Sequence, residues 1–472
     1  MFQVVITGLK CSVEGLSSEH YKHFIGIRTE RTGRTINGKP EILKHQIQLF
    51  ELSEDGTMET FTGLLPSFIK SVGLGNVQIT DHRPVINDED RLDDLDVAWR
   101  PGQKEIIKAL ITNYQGRCRS PTGSGKTFIL QQICKLYPDK VILIVTNRKL
   151  VLKEIKDRLL TVYKADKLCM VDGSHIFKPG YRAYLCSAFS LHKLPADWEP
   201  DILIYDEAHG AAGPSVFEQM QRFEKCRMYG LTATDEGRCD KFDKGIVALF
   251  GDRIIDYNYE DGVNFGLVVP VVVYMVSAAG PPFITTAYED VVQKQGIIYN
   301  PVRNTRIAEA SCQLEQAGIT KELITVCTVE HALVLKRYRP GTALLYSTVP
   351  DARWLELKKK GLVSDTDIQN LNTKAIMKDF KEGRINRLIS TLAIREGVDK
   401  EDLQCVNRAD ALTGSIPLQQ LSGRGSRIFN GKTCNIVIDY TDEFGPSLKG
   451  RAMSRMKTYR SLGWDVKFWS ST

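Results

Sequence analysis

The stretch DILIYDEAHG, residues 201–210, runs four apolar residues straight into Asp206, Glu207, Ala208 and His209. An unbroken apolar run of this length, without polar alternation, is what a strand buried on both faces shows, and such strands belong to parallel sheets covered by helices. Outward from it the same reading applies to VILIVT (141–146) and YLCSAF (184–189). A second series follows in ELITVCT (322–328), TALLYST (342–348), RLISTLA (387–393) and CNIVIDY (434–440), with charged stretches of helical composition between. The alternation predicts an α/β protein with two similar parallel-sheet lobes, the first over 99–265 and the second over 266–445, joined near FGLVVP (265–270).

A chain of 472 residues exceeds what one core usually serves. Its 42% apolar and 25% charged residues suit a folded globular protein. No apolar run reaches the ~20 residues needed to cross a bilayer, and MFQVVITGLK is too short and polar for a secretory signal, so no membrane is expected and the cytoplasm is the expected compartment. The 11 cysteines, Cys11, Cys118, Cys186, Cys312 and Cys405 among them, are scattered singly, which reads as reduced core thiols. The net charge of +6 is unevenly spread: residues 1–90 carry 9 Lys/Arg against 12 Asp/Glu, leaving the remainder basic. That balance fits a polyanion held in a local groove.

SPTGSGKT (120–127) is the second strong signal, placed after a segment of helical composition and before the apolar start of another. A loop of Pro121, Thr122, Gly123, Ser124 and Gly125 can curl closely enough to aim backbone N–H groups at phosphate oxygens, while Lys126 reaches the β and γ phosphates and the Thr127 hydroxyl binds Mg²⁺. Ser120 stands where the usual pattern has Gly or Ala, and it is small enough to be tolerated. With ATP held there, Asp206 is assigned to Mg²⁺ and Glu207 to the attacking water. Taken alone, the acidic pair would read as a strand-to-helix cap.

In order and spacing, this loop, the DEAH tetrad and GLTAT (230–234) resemble the superfamily-two helicases, and the resemblance covers about 100 to 440. It implies two RecA-like lobes that hydrolyse ATP. RPGQKEII (100–107) resembles the adenine-reading segment, with Arg100 and Gln103 as nucleotide contacts. The resemblance further implies that Thr232, Thr234 and His209 couple the ATP carboxylates to the groove between the lobes. STLAIREGVD (390–399) looks like the fifth motif, with Gly397 and Asp399 against the ribose or an arginine. QQLSGRGSR (419–427) looks like the sixth, with Gln420 on the nucleotide or partner lobe and Arg424 and Arg427 as arginine fingers. A γ-phosphate whose charge reorganises in the transition state needs such cations. Without the other motifs, the pair would read as the basic start of a solvated helix.

Asn147 and Arg148 in TNRKL (146–150), Ser187 and Thr391 each stand just past a predicted strand. Loops at the carboxyl ends of parallel strands form the ligand face of such sheets, so these are candidate contacts to a phosphate backbone, with ordinary strand-end capping as the alternative. GLTATDEGRCDKFDKGIVALFG (230–251), NPVRNTRIAE (300–309) and ITVCTVEHALVL (324–335) are similar to segments of phage UvsW-type, RecG-like branch-migration helicases. The SAT, PTRELA and HRIGR patterns of DEAD-box RNA helicases are absent from the sequence. The resemblance implies a monomeric, ATP- and Mg²⁺-dependent DNA helicase or translocase on branched DNA. Such a motor migrates Holliday junctions and remodels forks in recombination, replication or repair, alongside recombination or replication proteins, in a host cytoplasm if phage-encoded. Two rivals stay open: an RNA helicase of the DEAH type, and a nucleotide-controlled nucleic-acid-binding scaffold that hydrolyses little.

Residues 1–85 read as a small α+β domain, with FQVVI (2–6), HFIGIRT (23–29) and HQIQLFEL (45–52) as strands and INGK (36–39) as a hairpin turn. Arg28, Arg31, Arg34, Lys39 and Lys44 surround that hairpin, which either grips duplex or junction DNA or presents a solvated strand face. The acidic stretch DHRPVINDEDRLDDLD (81–96) reads as a linker, bounded at 86–98. The tail 446–472 reads as a helix packed on the second lobe, whose Tyr459, Trp464, Phe468 and Trp469 are either core or a stacking surface for a base.

Overall fold

The structure, a computed structural model, describes all residues except 37–38, 122, 148, 235, 237, 239, 282–288, 347–348, 365–372, 392–401, 414–422, 427, 430 and 470–472, and the side chains of 31, 33–36, 39–40, 149–150, 373–374 and 423–424 also lie outside it. The chain divides into two compact units whose main boundary falls between Phe265 and Gly266.

In the first unit seven parallel strands run in the order Leu168–Val171, Ala183–Ser187, Ile142–Thr146, Ile202–Asp206, Arg227–Thr232, Gln115–Arg119 and Arg253–Asp256. Ile142, Ile144, Ile202 and Ile204 share one core with Ile107, Leu110, Ile133, Leu152 and Ile155 of the covering helices Gln103–Thr112, Lys126–Leu136 and Lys149–Leu159. Leu143, Val145, Leu203 and Tyr205 enter a second core on the opposite face. Burial on both faces is why these strands show no alternation.

The apolar runs form strands that are trimmed at their ends. YLCSAF stops pairing at Ser187, and Phe189 stands exposed on the short 3-10 segment Ala188–Lys193. One strand has no apolar signature at all: Gln115–Arg119, QGRCR, leads directly into SPTGSGKT, where the sequence predicts a preceding helix. Arg117 is buried there because its Nε donates to the Gly251 carbonyl at 2.7 Å, so a core strand carries a cation.

The amino-terminal residues build a mixed sheet in the order Phe50–Leu52, Met58–Phe61, Lys10–Glu14, Phe2–Ile6 and Val77–Asp81, beside a two-stranded ribbon of Ile25–Ile36 and Lys39–Gln48. The turn residues Asn37 and Gly38 lie outside the described residues. This sheet shares one continuous core with the lobe behind it: Val4, Val13, Phe24, Met58 and Phe68 cluster with Phe217, Phe242, Ile246 and Phe250. The backbones also touch. Leu9 N–H donates to the Glu224 carbonyl at 2.7 Å, and a Cβ on Gly8 would stand 2.2 Å from that same oxygen.

The stretch read as a linker is docked as well. Its 3-10 turn Glu89–Asp94 buries Leu92 in the lobe core, and Asp88 accepts from Tyr137 Oη at 2.6 Å and pairs with Arg227 at 3.1 Å. The acidic composition that suggests a solvated tether is in part the counter-charge of a half-buried arginine.

In the second unit seven parallel strands run in the order Ala343–Leu345, Arg387–Thr391, Glu322–Val326, Cys405–Arg408, Asn435–Tyr440, Val271–Val276 and Asp465–Phe468. The last is an edge strand beyond the helix Pro446–Ser461, so the tail is helix then strand. Its aromatics divide. Tyr459 and Trp464 are buried and stacked on each other, Trp469 packs edge-on against Tyr274 and donates to Gln313, and Phe468 is exposed. The base-stacking alternative is thereby removed for Tyr459 and Trp464.

Three fully buried arginines brace the carboxyl end of this sheet: Arg303 pairs with Asp442, Arg408 with Asp410, and Arg455 with both Asp439 and Asp442. His331 sits in the same interior, and burial, with Arg303 beside it, pushes its pKa from 6.5 down to about 3. The unfolded chain takes up a proton near pH 6.5 and the folded chain only near 3. The stability from keeping His331 neutral is therefore complete above about pH 6.5 and falls as the pH drops. His331→Gln is expected to flatten the acid limb of the thermal-unfolding profile between about pH 7 and pH 4; an unchanged slope would clear His331 as its cause.

Candidate functional site

SPTGSGKT turns from the strand Gln115–Arg119 into the helix Lys126–Leu136. Gly123 and Gly125 adopt φ of 94° and 89°, which a side chain resists. Gln103 fixes the loop from behind: its Nε2 donates to the Ser124 carbonyl at 2.9 Å while its Oε1 accepts from Arg100 N–H at 3.1 Å. A Cβ on Gly125 would lie 2.5 Å from that Nε2. The unusual Ser120 is an internal brace, accepting from Ser124 Oγ at 3.0 Å and donating its N–H to the Thr232 carbonyl at 3.0 Å. Lys126 Nζ reaches back over the loop to 3.5 Å from the Ser120 carbonyl, Pro121 is buried beside it, and Thr127 is half-buried at the first helical turn. Thr122 lies outside the described residues.

Strand register brings the remaining groups level with this loop. Asp206 lies opposite Thr146 on one side and Leu231 on the other, Thr146 lies opposite Ser187, and Thr232 lies opposite Arg119. The loop, Asp206, Glu207, Thr232, Asn147 and Ser187 therefore stand along one carboxyl edge of a single sheet. Asp206 is buried at its strand end, and Glu207 takes φ 60°, ψ 56°, a left-handed conformation that costs a non-glycine residue roughly 1–2 kcal/mol. His209 Nδ1 lies 3.5 Å from Glu207 Oε2 and 3.3 Å from Thr232 Oγ1. Thr232 Oγ1 donates to the Thr234 carbonyl at 2.8 Å and accepts its N–H at 3.0 Å. Glu207 and the TAT segment thus both meet one imidazole.

The other predicted contacts fall out differently. Ser187 and Thr391 are both buried at strand ends. Arg28 is committed to packing: its guanidinium lies 4.2 Å over the Phe242 ring, donates to the Ala212 carbonyl at 2.9 Å and lies 3.8 Å from Asp240. A cation held on three sides is not presented to a nucleic acid, which corrects its reading as a DNA contact. The side chains of Arg31, Arg34 and Lys39, and all of Arg148, lie outside the described residues.

In the second unit Gln420, Arg427, Gly397 and Asp399 lie outside the described residues, as does the Arg424 side chain. The backbone of Arg424 belongs to the turn Gly423–Ser426 at the amino end of the sheet. There Val269 N–H donates to the Ser426 carbonyl at 2.7 Å, and a Cβ on Gly425 would lie 1.9 Å from Asn435 Oδ1. Thr391, opposite Val326, stands at the other, carboxyl end.

A family model for the type III restriction enzyme res subunit matches residues 96–237, and one for the helicase conserved C-terminal domain matches residues 328–429, one on each parallel sheet. The chain is a superfamily-two helicase. Its relatives include irc3, a mitochondrial ATP-dependent helicase of Schizosaccharomyces pombe, 24% identical over 73% of this chain and 57% of that protein. The helicase thus spans little more than half the length of that curated relative. Among solved structures it is similar to a fragment of an HsdR subunit of a type I restriction enzyme from Vibrio vulnificus, with TM-score 0.53, 18% identity, and 86% of this chain and 74% of that one covered. UvsW of bacteriophage T4 aligns over 99% of both chains with TM-score 0.44 and 15% identity.

Three residues of the helicase that no motif singles out help to shape the edge. Arg238 donates to the His209 carbonyl and holds Asp240 in a bidentate pair at 2.7 Å. Tyr205 and Gly210 flank the carboxylates and both meet Asn147. A glycine after DEAH and a tyrosine within a strand carry little signal of their own in a sequence.

Proposed function

We propose that this helicase is an ATP- and Mg²⁺-dependent motor on branched DNA. The observation that carries the reading is the common edge of the first sheet. It sets Lys126, Asp206 and Glu207 level with the ends of the strands that carry Asn147 and Ser187, so that chemistry at one end of the edge can be felt at the other. Asp206 and Thr127 would hold Mg²⁺, which would supply charge neutralisation at the phosphates. Lys126 holds those phosphates, and Glu207 orients and deprotonates the attacking water. Arg424 and Arg427 are assigned to the developing charge on the γ-phosphate, and Gln420, Gly397 and Asp399 to the nucleotide.

The choice of DNA is supported by the res-subunit model on the first lobe and by the UvsW-type segments at 230–251, 300–309 and 324–335. Arg31, Arg34 and Lys39 of the ribbon are its proposed grip on the duplex. The test is ATP turnover with no nucleic acid, single strand, linear duplex, a four-way junction and a structured RNA. The reading expects the junction to stimulate most. Stimulation by RNA alone would replace the substrate class, and stimulation by none would remove the motor.

A further inference from the structure

We propose that Tyr205 and Asn147 form a strut that makes the DEAH segment and the start of the helix Lys149–Leu159 move as one piece, with Gly210 as the seat of the strut. Tyr205 is the last apolar residue before Asp206 and is fully buried. Burial pushes its phenol far above its ordinary pKa, so it is a neutral donor that must find an acceptor. It finds Asn147 Oδ1 at 2.7 Å, one residue past the end of the neighbouring strand. The other end of that amide lies close against a glycine. A Cβ on Gly210 would stand only 1.7 Å from Asn147 Nδ2, so the glycine after DEAH leaves room for this side chain and nothing larger.

Asn147 is therefore bonded at its oxygen and closely flanked at its nitrogen by the segment that carries the catalytic carboxylates. Its role is that of a positioning residue, where the sequence reading makes it a contact to the nucleic acid. The inference rests on the motor reading above, because a strut matters only if strand binding and hydrolysis communicate. Any displacement of Glu207–Gly210 as the γ-phosphate leaves is passed to Asn147, and from there to the segment that follows the strand Ile142–Thr146.

Tyr205→Phe removes one oxygen and keeps the ring in its edge-on contact with Phe250. The experiment measures ATP turnover and the KM for ATP with and without saturating oligo(dT) and a four-way DNA junction, for wild type, Tyr205→Phe, Asn147→Ala and the double variant. The expected result is a stimulation ratio lowered roughly fivefold in Tyr205→Phe, the worth of one ordinary hydrogen bond, with the KM for ATP unchanged. The double variant should lose no more than Asn147→Ala alone, since the two residues act through one bond. Gly210→Ala, which must displace the same amide, should lower the ratio too. A purely structural role would instead lower basal and stimulated turnover together.

Full stimulation in Tyr205→Phe, or additive losses in the double variant, would overturn the strut while leaving the motor reading in place. Wild type unstimulated by either DNA would overturn both.

Discussion

Glu207→Gln is expected to lower ATP turnover by about two to four orders of magnitude, the range lost with a general base, while ATP binding is kept. The backbone at Glu207 is left-handed, φ 60° and ψ 56°, and its side chain is nearly buried beside His209. Strain of that kind is retained where a side chain must be aimed in one direction. Glutamine preserves the volume and the aim, and it removes the negative charge and with it the ability to take a proton. The check is steady-state turnover together with equilibrium binding of a fluorescent ATP analogue. Turnover within tenfold of wild type would assign the water to another group. Loss of binding along with turnover would mean that the substitution had disturbed the loop.

The two-lobed fold was legible in the sequence because its central strands are covered on both faces and so lack polar alternation. Ile142–Thr146, Ile202–Asp206 and Asn435–Tyr440 are the plainest cases. The sequence hid what polar residues do once buried. Gln115–Arg119 looks unlike a core strand because Arg117 is satisfied by a carbonyl 134 residues further on. The acidic stretch from 81 looks like a tether, yet Asp88 is fixed by Tyr137 and Arg227. Arg28 looks like a free cation of the ribbon until its three partners are seen.

The tight turn of SPTGSGKT and the helix that begins at Lys126 were legible, since few residue types accept the backbone at Gly123 and Gly125. The bracing around that turn was not: a glutamine three residues into RPGQ and a serine in place of glycine acquire meaning only when Ser124 is found between them.

Arg455→Met is expected to cost the second unit about 3–5 kcal/mol, the range for breaking a buried ion pair from one side. The guanidinium is fully buried and bonds Asp439 through Nε at 2.8 Å and Nη2 at 3.0 Å, and Asp442 through Nη2 at 2.9 Å. It also donates to the carbonyls of Tyr440 and Ala411. Methionine fills much of the volume but leaves Asp439 deprived of its counter-charge, with Tyr459 as its remaining side-chain donor, and leaves Asp442 to Arg303 alone. An unpaired buried carboxylate is the source of the cost, so removing the charge should recover part of it. Arg455→Met combined with Asp439→Asn is accordingly predicted to be more stable than Arg455→Met alone. Urea unfolding followed by tryptophan fluorescence, to which Trp464 stacked on Tyr459 contributes, reads the relevant transition. A loss below about 1 kcal/mol, or a double variant weaker than the single, would show that the buried arginines are not what holds the last helix to the sheet.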